Sequence, residues 1–212
     1  MRTEDLINAL VVDLTVSKAP FRRILFAAIT LGALIATAIF LLRLGVRPDF
    51  GQALETPRFL FKFVVTLSLV IAATALLSRL AIPGVSTGLW AWGWLSAPAL
   101  LVVAVAAELL VMPAGSWWSS LVGSNSRVCL TLIPLLSIAP LACVLLALRH
   151  GAPTNPGLAG AIAGLVAGGI AATLYAALCT DDSPLFVAAW YPLAIGVVVL
   201  VGYGVGSRVL RW

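Results

Sequence analysis

The 212-residue chain is too apolar for a soluble globular domain, since 62% of its residues are hydrophobic and only 10% are charged. Apolar runs of about 20 residues, the length that crosses roughly 30 Å of hydrocarbon, recur along it. The net charge of +5 comes without a basic patch interleaved with stacking aromatics, so we expect no direct contact with nucleic acid.

The N-terminal residues 1–23 form the sizeable soluble stretch of the chain, and we predict that they are a cytoplasmic amphipathic helix and a basic anchor that precede a membrane domain at 24–212. Thr3 can cap a helix whose acidic first turn suits the positive end of the helix dipole. Apolar side chains recur at helical spacing beside acidic ones; the residues concerned are Leu6, Leu10 and Leu14, with Glu4, Asp5 and Asp13. An acidic helix is poorly suited to anionic lipid, so we expect it to dock in a groove of a protein partner. The alternative is that it folds back onto the membrane domain.

Six apolar segments predict an all-α integral membrane protein, because helices satisfy their own backbone polar groups in lipid. The segments are 24–42, 59–78, 95–111, 128–148, 157–178 and 185–205. The third is the weakest, since Pro98 and Glu108 bracket a short stretch. We therefore predict a bundle of six transmembrane helices.

Basic residues predict the orientation, because they are in excess in cytoplasmic loops. With the N terminus inside, eight of them are cytoplasmic: Arg2, Lys18, Arg22, Arg23, Arg79, Arg149, Arg208 and Arg211. Five fall outside: Arg43, Arg47, Arg58, Lys62 and Arg127. An even number of spans returns the C terminus to the starting side, so we predict that both termini are cytoplasmic.

The fifth predicted span carries glycine at every fourth position on one helix face, at Gly160, Gly164 and Gly168. Such a face lets a neighbouring helix approach closely. We expect close packing within the bundle, and self-dimerisation is the alternative.

Little in the chain favours catalysis or transport. The single histidine, His150, lies at a predicted cytoplasmic helix end without a nucleophile or acid to pair with, so we predict that the protein is not an enzyme. A transporter or channel normally has ionisable groups near the bilayer midplane. Glu108 is the candidate, and we expect it instead to reach the interface or to meet Arg127. A small transporter or channel remains the alternative function.

Two cysteines lie at the boundaries of consecutive spans: Cys129 opens the fourth and Cys179 closes the fifth. The short connection at 149–156 makes these spans antiparallel, so their outer ends should meet within geometric reach of a disulfide. Oxidation is permitted on the periplasmic side. The two thiolates could also bind a soft heavy-metal ion transiently, with Asp181 or Asp182 as oxygen ligands. A structural disulfide and two unreactive interfacial cysteines are the alternatives, and we predict no resident cofactor.

Motifs along the whole chain resemble the NrsF-type family of membrane-embedded anti-sigma factors. They are Thr3-Glu4-Asp5-Leu6-Ile7 through Asp13-Leu14, Leu148-Arg149-His150-Gly151-Ala152-Pro153-Thr154, the glycine-rich fifth span with Tyr175 and Cys179, Asp182-Ser183-Pro184-Leu185-Phe186-Val187 with Trp190-Tyr191, and the closing Leu210-Arg211-Trp212. The similarity is most specific from 148 to 191. The family often has Leu-Arg-Arg-Gly where this chain has His150 in the third position, which changes the charge of that loop.

The resemblance implies a protein of the bacterial inner membrane whose cytoplasmic N-terminal segment holds an extracytoplasmic-function (ECF) sigma factor inactive. It also implies that two cysteines take part in the response to oxidative or heavy-metal stress, and these match Cys129 and Cys179. We expect apolar anchors and acidic groups of the N-terminal helix to contact the sigma factor; they are Leu6, Leu10 and Leu14, and Glu4, Asp5 and Asp13.

Overall fold

The computed structural model describes residues 18–80, 93, 95–151 and 153–210, and this part of the chain is helical without a strand. The helices are α1 (Lys18–Arg43), α2 (Phe50–Ala53), α3 (Pro57–Leu80), α4 (Ser96–Val111), α5 (Trp117–Val122), α6 (Ser126–Leu148), α7 (Pro156–Ala176) and α8 (Pro184–Val209). A short 3₁₀ turn, Ala114–Ser116, precedes α5. The predicted sigma-binding residues lie outside the described ranges; they are Glu4, Asp5, Leu6, Leu10, Asp13 and Leu14.

Five segments are helical, long and apolar enough to cross a membrane: Phe21–Arg43, Pro57–Leu80, Ala114–Leu148, Pro156–Ala176 and Pro184–Val209. They correspond to five of the six predicted spans. The remaining span forms α4, an apolar helix of 16 residues, which is about 24 Å long at 1.5 Å per residue. The all-helical fold is therefore confirmed, with five helices long and apolar enough to cross a membrane, whereas six crossings and the orientation of the termini stay predictions.

The centre of the bundle is α7, which contacts α3, α6 and α8. Its side chains are mostly small and buried, while the outer helices expose large apolar residues such as Leu34, Ile71 and Leu200. Apolar side chains on an outer surface are stable when lipid surrounds them. The burial pattern thus matches a membrane bundle built around α7.

Glycines on α7 and α8 bring these two helices into backbone contact. A Cβ atom placed on Gly160 would lie 2.2 Å from the carbonyl oxygen of Gly202 and 2.8 Å from Cα of Gly206. At Gly164 it would lie 2.8 Å from the carbonyl oxygen of Val198. The prediction that the glycine face packs closely within the bundle is confirmed.

Helix ends meet at one end of the bundle, which we call the polar end and define as residues 44–62, 108–129 and 177–185. The backbone N–H of Arg47, just after α1, donates to the carbonyl oxygen of Ala177, just after α7, over 3.2 Å. The Tyr175 hydroxyl donates to the carbonyl oxygen of Asn125, before α6, over 3.2 Å. The ends of α1, α4 and α7 and the starts of α3, α6 and α8 thus lie together, so these helices alternate in direction.

Candidate functional site

The two predicted sensor cysteines lie in one buried cluster at the polar end. Cys129, near the start of α6, has 0% of its surface exposed, and Cys179, in the loop between α7 and α8, has 2% exposed. Both belong to the cluster that contains Tyr175, Phe186 and Tyr191, and both are free thiols. The structure therefore brings the pair together in one buried cluster at the polar end.

Cys179 is held through its backbone by two cations. Its carbonyl oxygen accepts a hydrogen bond from Lys62 Nζ over 2.9 Å and from Arg47 Nη1 over 3.4 Å, and its Sγ donates to the carbonyl oxygen of Asp181 over 3.7 Å. Burial raises the pKa of the Cys179 thiol, and the positive charge of Lys62 opposes that shift. This environment keeps Cys179 protonated at neutral pH. Because the thiolate is the nucleophile, Cys179 then reacts slowly.

An ion cluster covers this loop. Lys62 Nζ lies 2.5 Å from Asp182 Oδ1, and Arg47 Nη1 lies 2.9 Å from Asp182 Oδ2. Arg47 also holds Asp49 through two hydrogen bonds of 2.6 Å, from Nε and Nη2. These contacts raise the pKa of Arg47 and lower the pKa of Asp49. Two cations and two carboxylates thus compensate one another within the cluster.

Sequence reasoning missed that two of these charges are buried. Lys62 has 0% of its surface exposed and Arg47 has 8%, although both were counted as charges outside the membrane. Below them, the ring of Phe59 lies 5.2 Å from Lys62 Nζ and 5.5 Å from Arg47 Cζ, which adds a cation–π contribution. The signal in the sequence was Lys62 itself, an ionisable residue inside a predicted span.

The neighbouring carboxylate, Asp181, binds the start of α6. It accepts hydrogen bonds from the backbone N–H groups of Asn125 over 2.8 Å and Ser124 over 3.1 Å, and from Asn125 Nδ2 over 3.0 Å. A carboxylate at a helix N terminus is stabilised by the helix dipole. Cys129 lies one turn into that helix, so Asp181 links the two cysteine-bearing segments.

Both carboxylates suggested as metal ligands are therefore engaged by protein donors. Among the described residues, no group of three or more histidine, cysteine, aspartate or glutamate side chains is arranged to hold a metal ion. A soft-metal site made of Cys129, Cys179, Asp181 and Asp182 would need these carboxylates to leave their partners. It stays a prediction.

Glu108 lies in the last turn of α4, at the polar end rather than midway along the bundle. Its Oε2 accepts hydrogen bonds from Ser183 Oγ over 2.8 Å and from the Leu185 N–H over 3.1 Å. Its Oε1 lies 3.5 Å from Arg58 Nη2. Of the two expected alternatives, an ion pair with Arg127 is not among the contacts of the described residues, because this turn of α4 faces the starts of α3 and α8; access to the membrane interface stays a prediction. The carboxylate fixes α4 to α8, which does not favour a transport site.

Comparisons with known proteins point to one family. A family model described as "Negative regulator of sigma F" (NrsF) matches residues 10–212. The chain is 37% identical over 215 residues to the anti-sigma-F factor NrsF of Caulobacter vibrioides (strain NA1000 / CB15N). It is 36% identical over 214 residues to the probable anti-sigma-F factor NrsF of Azospira oryzae (strain ATCC BAA-33 / DSM 13638 / PS). Each comparison covers 100% of both chains. No solved structure matches the chain.

Proposed function

The chain belongs to the NrsF family of negative regulators of sigma F, and on that premise we propose that it is a redox- or metal-responsive anti-sigma factor of the bacterial inner membrane. Its cytoplasmic N-terminal segment sequesters an ECF sigma factor. Modification of Cys129 and Cys179 on the periplasmic side, by an oxidant or by a soft heavy-metal ion, releases it. The role is regulatory and not enzymatic.

One observation supports the sensing part most strongly: the only two cysteines near the polar end, among the described residues, share one buried cluster. A disulfide needs Cα atoms within about 7 Å of each other, and placement in one cluster favours such an approach. The third cysteine, Cys143, lies almost four turns further along α6 and outside that cluster.

The direction of α1 supports a signal that crosses the bundle. The helix ends at Arg43 beside the polar end, so its first residue, Lys18, lies at the opposite end. Lys18, to which the N-terminal segment is attached, is therefore far from the cysteines. A change at the thiols must be carried along the helices to affect a sigma factor bound by that segment.

The pairing of α6 with α1 offers a direct route. Cys129 is on α6, and Phe40 of α1 lies in its buried cluster. Further along, a Cβ atom on Gly32 of α1 would lie 2.6 Å from Cα of Pro140 of α6. Because the N-terminal segment is attached to the start of α1, a shift of α6 against α1 would move the point of attachment of the segment that we propose to bind the sigma factor.

The energetics limit what a disulfide alone can do. Changing the ratio of the sigma-releasing state to the sigma-binding state from 1:99 to 99:1 needs about 5.5 kcal/mol. A disulfide typically contributes about 2–4 kcal/mol. Either the resting balance is closer than 1:99, or metal binding supplies the remainder.

The sigma-binding role is tested by adding charge to the apolar stripe. Leu10→Asp with Leu14→Asp should abolish copurification of the sigma factor with the full chain and raise transcription from its promoters, because buried apolar anchors become charged. Asn8→Asp with Thr15→Asp is the matched control, since it adds the same two charges on the opposite face of the helix. Normal copurification with the first variant would refute the assignment.

The sensing role is tested with serine substitutions. Cys129→Ser and Cys179→Ser, singly or together, should abolish release of the sigma factor on treatment with oxidant or metal while copurification in untreated cells persists. Cys143→Ser should respond like the parent. A normal response in the double variant would remove the sensing proposal and leave the anti-sigma role standing.

A further inference from the structure

Side chains from four directions hold the loop that carries Cys179, which we call the thiol loop (residues 177–183). Its Asp181 binds the start of α6, and its Ser183 binds Glu108 on α4. Its Asp182 binds Lys62 on α3 and Arg47 in the connection after α1. The chain itself joins this loop only to α7 and α8, so these polar contacts with the other elements decide whether it stays closed over the cysteines.

We infer that Asp182, held by Lys62 and Arg47, is a latch that keeps the thiol loop closed and thereby sets how readily Cys179 and Cys129 are modified. The inference rests on the proposed sensing function and adds positioning residues to it. None of the three latch residues touches a sulfur atom through a described hydrogen bond; they act through the backbone of the loop.

The donors of Lys62 are directed at the loop. An ammonium group has three N–H donors, and Lys62 Nζ has three partners there: Asp182 Oδ1, the Cys179 carbonyl oxygen and the Asp181 carbonyl oxygen, the last over 3.4 Å. Lys62 is fully buried, and a buried cation is tolerated when an anion and hydrogen-bond acceptors compensate it. The loop supplies both, so Lys62 is stable in its place only while the loop is closed.

Arg47 differs from Lys62 because it has a second anion. If the charge of Asp182 is removed, Arg47 still holds Asp49 through two short hydrogen bonds. Lys62 loses its ion-pair partner and is driven toward water. As it moves, the 2.9 Å hydrogen bond to the Cys179 carbonyl oxygen breaks, and the segment that bears the thiol is released. The two cysteines share one cluster, so opening the loop exposes both.

The test is the rate at which a water-soluble maleimide labels the purified full chain in detergent micelles, in a Cys143→Ser background that leaves Cys129 and Cys179. Asp182→Asn removes the charge with almost no change in shape. We expect it to raise the labelling rate of both cysteines by about tenfold or more, because a buried cation loses its anion. Asp182→Glu keeps the charge and should label slowly, like the parent.

Asp49→Asn is the matched control, since it makes the same substitution on the other carboxylate of Arg47. Asp49 is 48% exposed and does not touch the thiol loop. The cysteines of the Asp49→Asn variant should therefore be labelled at a rate within about twofold of the parent, as expected for an exposed ion pair. Equal rates for Asp182→Asn and the parent would overturn the latch. The latch would also be overturned if Asp49→Asn or Asp182→Glu were labelled as fast as Asp182→Asn, since the effect would then not depend on the charge of Asp182.

A second variant covers the case in which Asp182→Asn does not fold. Lys62→Met keeps an unbranched side chain that is one heavy atom shorter and removes the donors to the loop. It should also label faster than the parent, and a parental rate would overturn the latch. Labelling is measured without sigma factor and without stress. If the labelling result contradicts the latch, the proposed anti-sigma function is unaffected. If the proposed anti-sigma function is refuted, the labelling result still tests the latch.

Discussion

Replacing Gly160 with alanine tests the backbone contact between α7 and α8, the two helices that flank the thiol loop. The new Cβ atom would lie 2.2 Å from the Gly202 carbonyl oxygen, about 1.2 Å short of the 3.4 Å at which ordinary contact begins. The obstructing atoms belong to the backbone, so they cannot rotate away. The helices must separate instead, and gaps of this size forfeit much of the dispersion energy between them.

The expected cost follows from two opposing effects. Overpacking of a well-packed contact costs about 1–3 kcal/mol, while alanine is favoured over glycine within a helix by about 1 kcal/mol. The net cost of Gly160→Ala is therefore up to about 2 kcal/mol, which lowers the melting temperature of a chain of this size by up to about 8 °C. The melting temperature is measured by thermal unfolding in detergent, with the reaction of the buried thiols with a fluorogenic maleimide as the signal.

Gly204→Ala is the matched control, because it makes the same substitution on α8 at a position with no atom within 4 Å of the new Cβ atom. It should melt at the parental temperature or slightly above. Equal melting temperatures for Gly160→Ala and Gly204→Ala would refute the close-contact reasoning.

Two further predictions concern groups at the polar end. Glu108→Gln retains an acceptor for Ser183 and Leu185 and should melt close to the parent. Glu108→Leu removes the acceptor of the Ser183 hydroxyl, while the Leu185 N–H keeps Ser183 Oγ, so this variant should lose about 1–3 kcal/mol. The opposite order of melting temperatures would contradict the role of Glu108 as an anchor. In a chain with Cys179 as its one cysteine, the maleimide rate should rise about tenfold per pH unit from pH 7 to 9, because burial raises the pKa of this thiol and the reactive thiolate stays a minor species. A plateau within that range would show that the thiol ionises too readily for the environment described.

The sequence predicted the helices well because long apolar runs have one stable arrangement in lipid. The predicted sixth span, 185–205, extends in the structure to Pro184–Val209, and the fifth begins at Pro156, where proline suits the first helical position. The glycine face and the placement of both cysteines at one end follow from spacing and antiparallel connection alone. All of these are local or nearest-neighbour properties of the chain.

The ion cluster could not be read in the same way, because Arg47 and Asp182 are 135 positions apart and their contact depends on how three helix ends meet. Counting basic residues treated Arg47 and Lys62 as solvated charges outside the membrane, and that count gave only a moderate excess for the cytoplasmic side. In the structure both are buried against carboxylates, so they do not act as free loop charges. Because orientation follows the number of basic residues near the helix ends rather than their pairing with carboxylates, the burial of Arg47 and Lys62 leaves the prediction of a cytoplasmic N-terminal segment where the count of basic residues put it.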